Sequence, residues 1–151
     1  MLKPGDKAPQ FSLNDETGQS VRLDQFRGKT VVVYFYPKDD TPGCTTESCS
    51  FRDNYDEFLN RDAVVIGISA DGEASHQKFK SKYELPFYLL SDPDRKVISA
   101  FGAWGEKKMY GKSYEGIIRS TFVIDGDGTI VRTWEKVSPK GHALEVLNSL
   151  V

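Results

Sequence analysis

At 151 residues the chain is long enough for one domain, spanning 1–151, with a substantial core. Its formal net charge of −2 leaves no basic footprint for nucleic acid or an anionic membrane surface. No apolar run approaches the roughly 20 residues of a membrane span, and the N-terminus lacks the apolar centre of a secretory signal, so a cytoplasmic protein is expected.

In chain order, residues 11–13 and 20–23 are short alternating runs joined by a polar, turn-rich segment, which predicts an N-terminal β-hairpin. Residues 24–28 read as one helical turn stopped by Gly28. The run 30–36, Thr-Val-Val-Val-Tyr-Phe-Tyr, is β-branched and aromatic without polar alternation, so it predicts a strand buried on both faces. Pro37 ends it, having no N–H for the ladder. Thr41 suits an N-cap and Pro42 the first helical position, so a helix is predicted from 42 to about 61. Phe51, Tyr55, Phe58 and Leu59 form its apolar stripe.

Residues 63–69 predict a second buried strand. Residues 73–83 predict a Lys-rich helix carrying Phe79 and Tyr83 at i, i+4. Residues 85–90 lead into a third strand, 91–94 form a turn, and 95–101 a short helix. Residues 102–116 are rich in Gly, Lys and Tyr and read as a long loop. The fourth core strand is 117–124. The Asp-Gly-Asp-Gly turn at 125–128 starts a hairpin whose return strand is 129–134. A terminal helix spans 142–150, with Leu144, Leu147 and Leu150 as its stripe. Strands and helices that first alternate, and then a hairpin, predict an α/β sandwich around a mixed sheet.

The two cysteines, Cys44 and Cys49, make a poor structural staple. In a reducing compartment such a pair is more often redox-active. On the predicted register Cys44 occupies the third helical position, where unpaired N–H groups and the positive end of the helix dipole favour the thiolate. Small neighbours, Pro42, Gly43 and Thr45, imply access rather than burial. Arg119 stands out as a charge inside an apolar strand. Either alternation points it to solvent, or its guanidinium is aimed at the thiolate from a neighbouring strand.

Other chemistries lack their residues. The cysteines and His76 and His142 do not fall into zinc-ligand pairs, and the Asp125 loop has Lys136 where a calcium loop needs its bidentate Glu. No metal or cofactor is expected. His76, in its Lys-rich setting, is expected at the solvated surface, and Asp39 and Asp40 as loop solvation. There is no glycine-rich phosphate cradle. Neither His lies on a segment that obviously reaches Cys44, as a Cys–His hydrolase would need.

Pro37, Thr41 and Cys44 spell P-x-x-x-T-x-x-C, which resembles the active-site signature of peroxiredoxins, and Arg119 within Ile118–Phe122 matches that family's distant arginine. Cys49, five residues on, is similar to the bacterioferritin-comigratory-protein, or Q-type, subfamily. Further matches run through Pro86-Phe87, Leu90-Ser91-Asp92 and residues 102–111, so the resemblance covers nearly the whole chain. It implies a thioredoxin-like fold and a thiol peroxidase. The Cys44 thiolate would attack hydrogen peroxide or an organic hydroperoxide and become a sulfenic acid. Thr41, the backbone N–H groups near Gly43 and Cys44, and Arg119 would hold the peroxide, while Pro37 shields the thiolate. Cys49 would then close a Cys44–Cys49 disulfide, reduced by thioredoxin or a similar dithiol. With no further cysteine for an intersubunit bond, a monomer is expected. Two alternatives stand beside this: a thioredoxin-like dithiol-disulfide oxidoreductase, although the pair is C-x4-C rather than C-x-x-C, and a non-enzymatic redox sensor.

Overall fold

The computed structural model describes residues 1–150, without the side chain of Met109; Val151, the last residue of the expected domain, lies outside the described residues. A seven-stranded mixed sheet runs through the molecule. Its strands are β1 (Ser12–Asn14), β2 (Ser20–Arg22), β3 (Thr30–Phe35), β4 (Ala63–Ser69), β5 (Tyr88–Ser91), β8 (Ser120–Ile124) and β9 (Ile130–Trp134), in the order β2-β1-β5-β4-β3-β8-β9. β3, β4 and β5 are parallel; β8 is antiparallel to its neighbour β3, and β9 antiparallel to β8. The N-terminal hairpin joins the same sheet through one pair, Asn14 with Ser91. This is the expected mixed sheet flanked by helices.

β3 explains the apolar run at 30–36. Val31, Val33 and Phe35 enter one core with Ile66, Ile68, Phe101 and Phe122. Val32, Tyr34 and Tyr36 enter the other with Phe51, Phe58, Phe79, Phe87 and Val146. Both faces are covered, so no polar alternation is needed. The second core is closed by α1 (Pro42–Asp53), α2 (Tyr55–Asn60), α3 (Glu73–Tyr83) and α5 (His142–Ser149). The first is closed in part by α4 (Lys96–Ala100), through Ile98, and by the 3-10 turn at Leu23–Phe26.

Four elements differ from the sequence reading. The helix expected to run to 61 breaks at Asn54, whose side-chain amide donates to the Ser50 carbonyl at 2.8 Å, a local bond that competes with helix propagation. The break keeps Phe58 buried and leaves Leu59 half exposed. The expected loop at 102–116 is a second, two-stranded sheet, β6 (Trp104–Met109) and β7 (Lys112–Ile117). Tyr110 and Gly111, both at positive φ, make its two-residue turn, as a type I′ hairpin requires. The expected strand at 117–124 is two strands, since β7 ends at Ile117 and β8 starts at Ser120; Arg119 therefore lies in the join rather than inside a strand. On α5 the buried stripe is Ala143, Val146 and Leu147, and Leu144 is half exposed. No helix among the described residues is long and apolar enough to cross a membrane.

Candidate active site

The site forms where the C-terminal end of β3 meets the start of α1. Thr41 has extended backbone, φ −96° and ψ 154°, and its carbonyl accepts the Thr45 N–H at 2.8 Å, which begins the helix. Its hydroxyl caps no helix N–H; it donates instead to the Lys38 carbonyl at 2.8 Å. Pro42 takes the first helical position, so Gly43 and Cys44 occupy the second and third, as the sequence predicted. A helix leaves its first N–H groups without intrahelical partners, and Cys44 stands in that first turn.

Cys44 is only 1 % exposed, so the access expected from its small neighbours is absent in this form. The cover is Arg119. Its Nη2 lies 3.3 Å from Cys44 Sγ, and its Nη1 donates to Glu47 Oε1 at 2.8 Å. Of the two readings open for Arg119, the structure selects the one aimed at the thiol. Gly43 makes the approach possible: a Cβ there would sit 3.2 Å from Arg119 Nη2 and 3.4 Å from Pro139 Cγ. Arg119 also borders an open groove of about 740 Å³, lined by Pro37, Lys107, Ile118, Lys136 and Val137 among others. Burial works against the guanidinium's charge, but Glu47 and Cys44 outweigh it and raise its pKa. Burial of Lys107 in the same region, with Arg119 nearby, lowers that amine below its ordinary value.

Sequence reasoning missed Glu47. It is fully buried one turn after Cys44, and burial pushes its carboxyl up to about 7 against the pull of Arg119. Its other oxygen, Oε2, has no hydrogen-bond partner among the described residues. The missed signal is the spacing 44, 47, 48, 51: tracing the buried stripe of α1 back from Phe51 puts Glu47 beside Cys44. The same stripe anchors the helix. Ser48 is hydrogen-bonded to the Tyr34 hydroxyl at 2.8 Å, and Phe51 stacks on the Tyr34 ring at 4.7 Å.

Cys49 lies on the same unbroken helix, half-buried, and burial raises its thiol pKa, with Arg52 opposing. Both thiols are free. Five residues of regular helix put the two Cα atoms roughly 8.6 Å apart on faces about 140° apart.

Both histidines are buried. His76, expected at the surface, is fully enclosed on α3 and hydrogen-bonded to Asp39 and to the Leu90 carbonyl; Asp39, expected as loop solvation, is buried with it. His76 is the i−3 neighbour of Phe79, so α3's apolar stripe extended backward reaches it. Asp40 stays on the surface, accepting from Lys82 and Tyr83. His142 bonds Thr121 Oγ1 at 2.7 Å and Glu145 at 3.0 Å, and burial lowers its pKa. Among the described residues neither imidazole is hydrogen-bonded to Cys44. The group that contacts the sulfur is a guanidinium, which cannot take a proton, so the Cys–His hydrolase arrangement is not formed. Asp39, Asp71 and His76 bring ligand-type atoms within 4.8 Å of one another, but these atoms bond each other and neighbouring N–H and O–H groups.

A sequence model described as the AhpC/TSA family matches residues 4–133. Peroxiredoxin Bcp of Bacillus subtilis is 50 % identical over 149 residues, covering 99 % of this chain and 95 % of that protein. Peroxiredoxin Bcp of Escherichia coli K12 is 48 % identical over the same length, covering 99 % and 96 %. Among solved structures, a cysteine-to-serine variant of Xylella fastidiosa PrxQ superposes with a TM-score of 0.93 at 37 % identity, covering 99 % of this chain and 96 % of that one. The Xanthomonas campestris bacterioferritin comigratory protein, described for its alkyl peroxide reduction activity, gives 0.90 at 39 % identity, covering 99 % and 95 %.

Proposed function

The chain belongs to the AhpC/TSA family, among the Bcp or Q-type peroxiredoxins, and is a thiol peroxidase; on that footing we propose that Cys44 is its peroxidatic thiolate and Cys49 its resolving thiol. Peroxides and a thiol reductant are its substrates. The observation that carries the assignment is the contact between Arg119 Nη2 and Cys44 Sγ at the first turn of α1. A guanidinium and a helix N-terminus converge on this sulfur, and both favour a negative charge there.

In the first step the Cys44 thiolate attacks the terminal oxygen of the peroxide. The S–O bond forms, the O–O bond breaks, and its electron pair leaves on the distal oxygen, which takes a proton to become water or an alcohol. The Thr41 proton is engaged by the Lys38 carbonyl, which leaves the Thr41 oxygen free to accept the peroxide O–H. The N–H groups of Gly43 and Cys44 and the Arg119 fork stabilise charge moving onto the departing oxygen. Pro37, on the groove wall, limits water around the thiolate. In the second step Cys49 attacks the sulfenic sulfur; the S–S bond forms and water leaves. An external dithiol, thioredoxin or one like it, returns two electrons and two protons. Both cysteines lie in one chain, so the cycle needs no second subunit and runs in a monomer. The reducing cytoplasm supplies the dithiol.

Stopped-flow titration of the reduced protein with hydrogen peroxide and an organic hydroperoxide tests the assignment. Rapid stoichiometric oxidation that vanishes in Cys44→Ser supports it; consumption at the parent rate in that variant would move the nucleophile elsewhere.

A further inference from the structure

Beyond the groups around the sulfur, the loop that delivers Thr41 is itself held by a buried charge network. Asp39 is its centre. The Asp39 N–H donates to Asp71 Oδ2 at 2.8 Å. Its Oδ1 accepts the Tyr36 hydroxyl at 2.6 Å, and its Oδ2 accepts the Ser75 hydroxyl at 2.8 Å. Oδ2 also lies 2.7 Å from His76 Nδ1. The next residue, Asp40, adopts φ 56° and accepts from Lys82 and Tyr83 of α3. Lys38, just before, gives its carbonyl to Thr41. The stretch from 38 to 41 is therefore fixed against α3.

The partners of His76 define its protonation. Nε2 lies 2.9 Å from the Leu90 carbonyl oxygen, which can only accept, so Nε2 carries a proton. A neutral ring would then turn a bare Nδ1 toward a carboxylate that already accepts two hydroxyl donors. Protons on both nitrogens satisfy every contact, with Asp39 ionised. We propose that His76, held as an imidazolium, is a positioning residue for the peroxidase: through Asp39 it fixes the loop that places Thr41 and the first turn of α1.

The titratable groups facing His76 are Asp39 from the loop, Asp71 just past β4 and Tyr36 just past β3. Burial alone would lower the His76 pKa. The Asp39 hydrogen bond and charge, the Leu90 carbonyl and Asp71 outweigh it and raise the value. Burial and then Asp39 hold Tyr36 neutral, far above its ordinary range. A raised folded pKa means that the hold is complete below the ordinary imidazole pKa and is lost as pH rises through the folded value. Loss of that proton leaves two acceptors face to face in a closed site, which drives Asp39 and its loop off α3.

The inference rests on Cys44 being the nucleophile and Thr41 a peroxide ligand, and its test separates the two. Nitrogen-15 NMR of the reduced protein should find both His76 ring nitrogens protonated at neutral pH. Stopped-flow rates of Cys44 oxidation against pH should fall about tenfold on the alkaline side, together with the His76 titration. Asp39→Asn should lack that fall, because the Asn amide can donate to a neutral Nδ1 while its oxygen still accepts Tyr36. His76→Gln should be slower by about tenfold throughout, also with no alkaline fall. A single protonated ring nitrogen at neutral pH, a parent rate that stays flat through the His76 titration, or an Asp39→Asn profile with the parent's fall would each overturn the proposal. Full peroxide consumption by Cys44→Ser would overturn the nucleophile instead and leave the NMR result standing.

Discussion

A guanidinium donates from two nitrogens at a fixed angle, and Arg119 gives one to Cys44 at 3.3 Å and the other to Glu47 at 2.8 Å. Glu47 thereby fixes the arm that faces the sulfur, the arm assigned above to the peroxide. Arg119→Met keeps length and apolar volume but removes both donors. Peroxide attack should slow about ten- to a hundredfold, the loss of one charge-assisted bond in a desolvated site, and stopped-flow kinetics that match the parent would show Arg119 to be a bystander. Glu47 gives a pH signature. Its folded pKa, about 7, lies above the ordinary 4.5, so folding takes up a proton and stability falls as pH rises from about 4.5 to about 7. Glu47→Gln keeps an acceptor for Arg119 and should flatten that slope by roughly 2–4 kcal/mol in urea titrations across the window. The His76 contribution is common to both proteins and drops out of the difference. At this scale Cys44, Thr41 and Arg119 were legible because the signature and the lone charge are visible in one dimension. Glu47, Asp39 and His76 were not: polarity argues for the surface, only the helical stripes drawn through Phe51 and Phe79 place Glu47 and His76 inside, and Asp39, in a loop, is drawn in by bonds to Tyr36, Ser75 and His76 that no local pattern shows.

The proposed disulfide asks a second geometry of α1. As a regular helix it keeps Cys44 and Cys49 roughly 8.6 Å apart, whereas a disulfide needs Cα atoms within about 6.8 Å. On the proposed cycle, with Cys49 as the resolving thiol, the helix must therefore open between them at each turnover. Its sequence permits this: Gly43, Thr45, Thr46, Ser48 and Ser50 are all poorer helix formers than Ala, while Phe51 beyond them is stacked on Tyr34. Amide hydrogen exchange should find residues 45–49 protected in the reduced protein and far less so after oxidation. Equal protection in both states would mean that no bond forms between these cysteines. Element boundaries were the less legible part of the chain. The Asn54 break depends on one side-chain bond to the Ser50 carbonyl, and the β6–β7 hairpin hides because its mid-strand positions are mostly solvent-facing Lys, Glu, Ser and Tyr, so no apolar alternation marks it. Tyr110-Gly111 was its one local sign, weaker than Asn-Gly.

Across the whole molecule the sheet transmits packing from the core to the site. The strands and their mixed order were legible in the buried runs at 30–36 and 63–69 and the Asp-Gly turn at 125–128, since burial on both faces erases alternation. Gly67, at the centre of β4, marks where core and site meet: a Cβ there would fall 2.7 Å from Tyr34 Cζ and 2.8 Å from its hydroxyl. Gly67→Ala should displace Tyr34, cost about 1–3 kcal/mol by overpacking and lower the melting temperature by roughly 2–4 °C per kcal/mol. It should also loosen α1 through the Tyr34–Ser48 bond; an unchanged Tm would mean the ring relaxes without loss. Whether Cys44 is oxidised first and Cys49 resolves it within one chain can be read from intact mass after one equivalent of peroxide. The monomeric parent should lose two hydrogens, Cys49→Ser should gain one oxygen trapped at Cys44, and Cys44→Ser should be unchanged. A parent that gains oxygen without losing hydrogens, or a Cys44→Ser variant oxidised at Cys49, would contradict it.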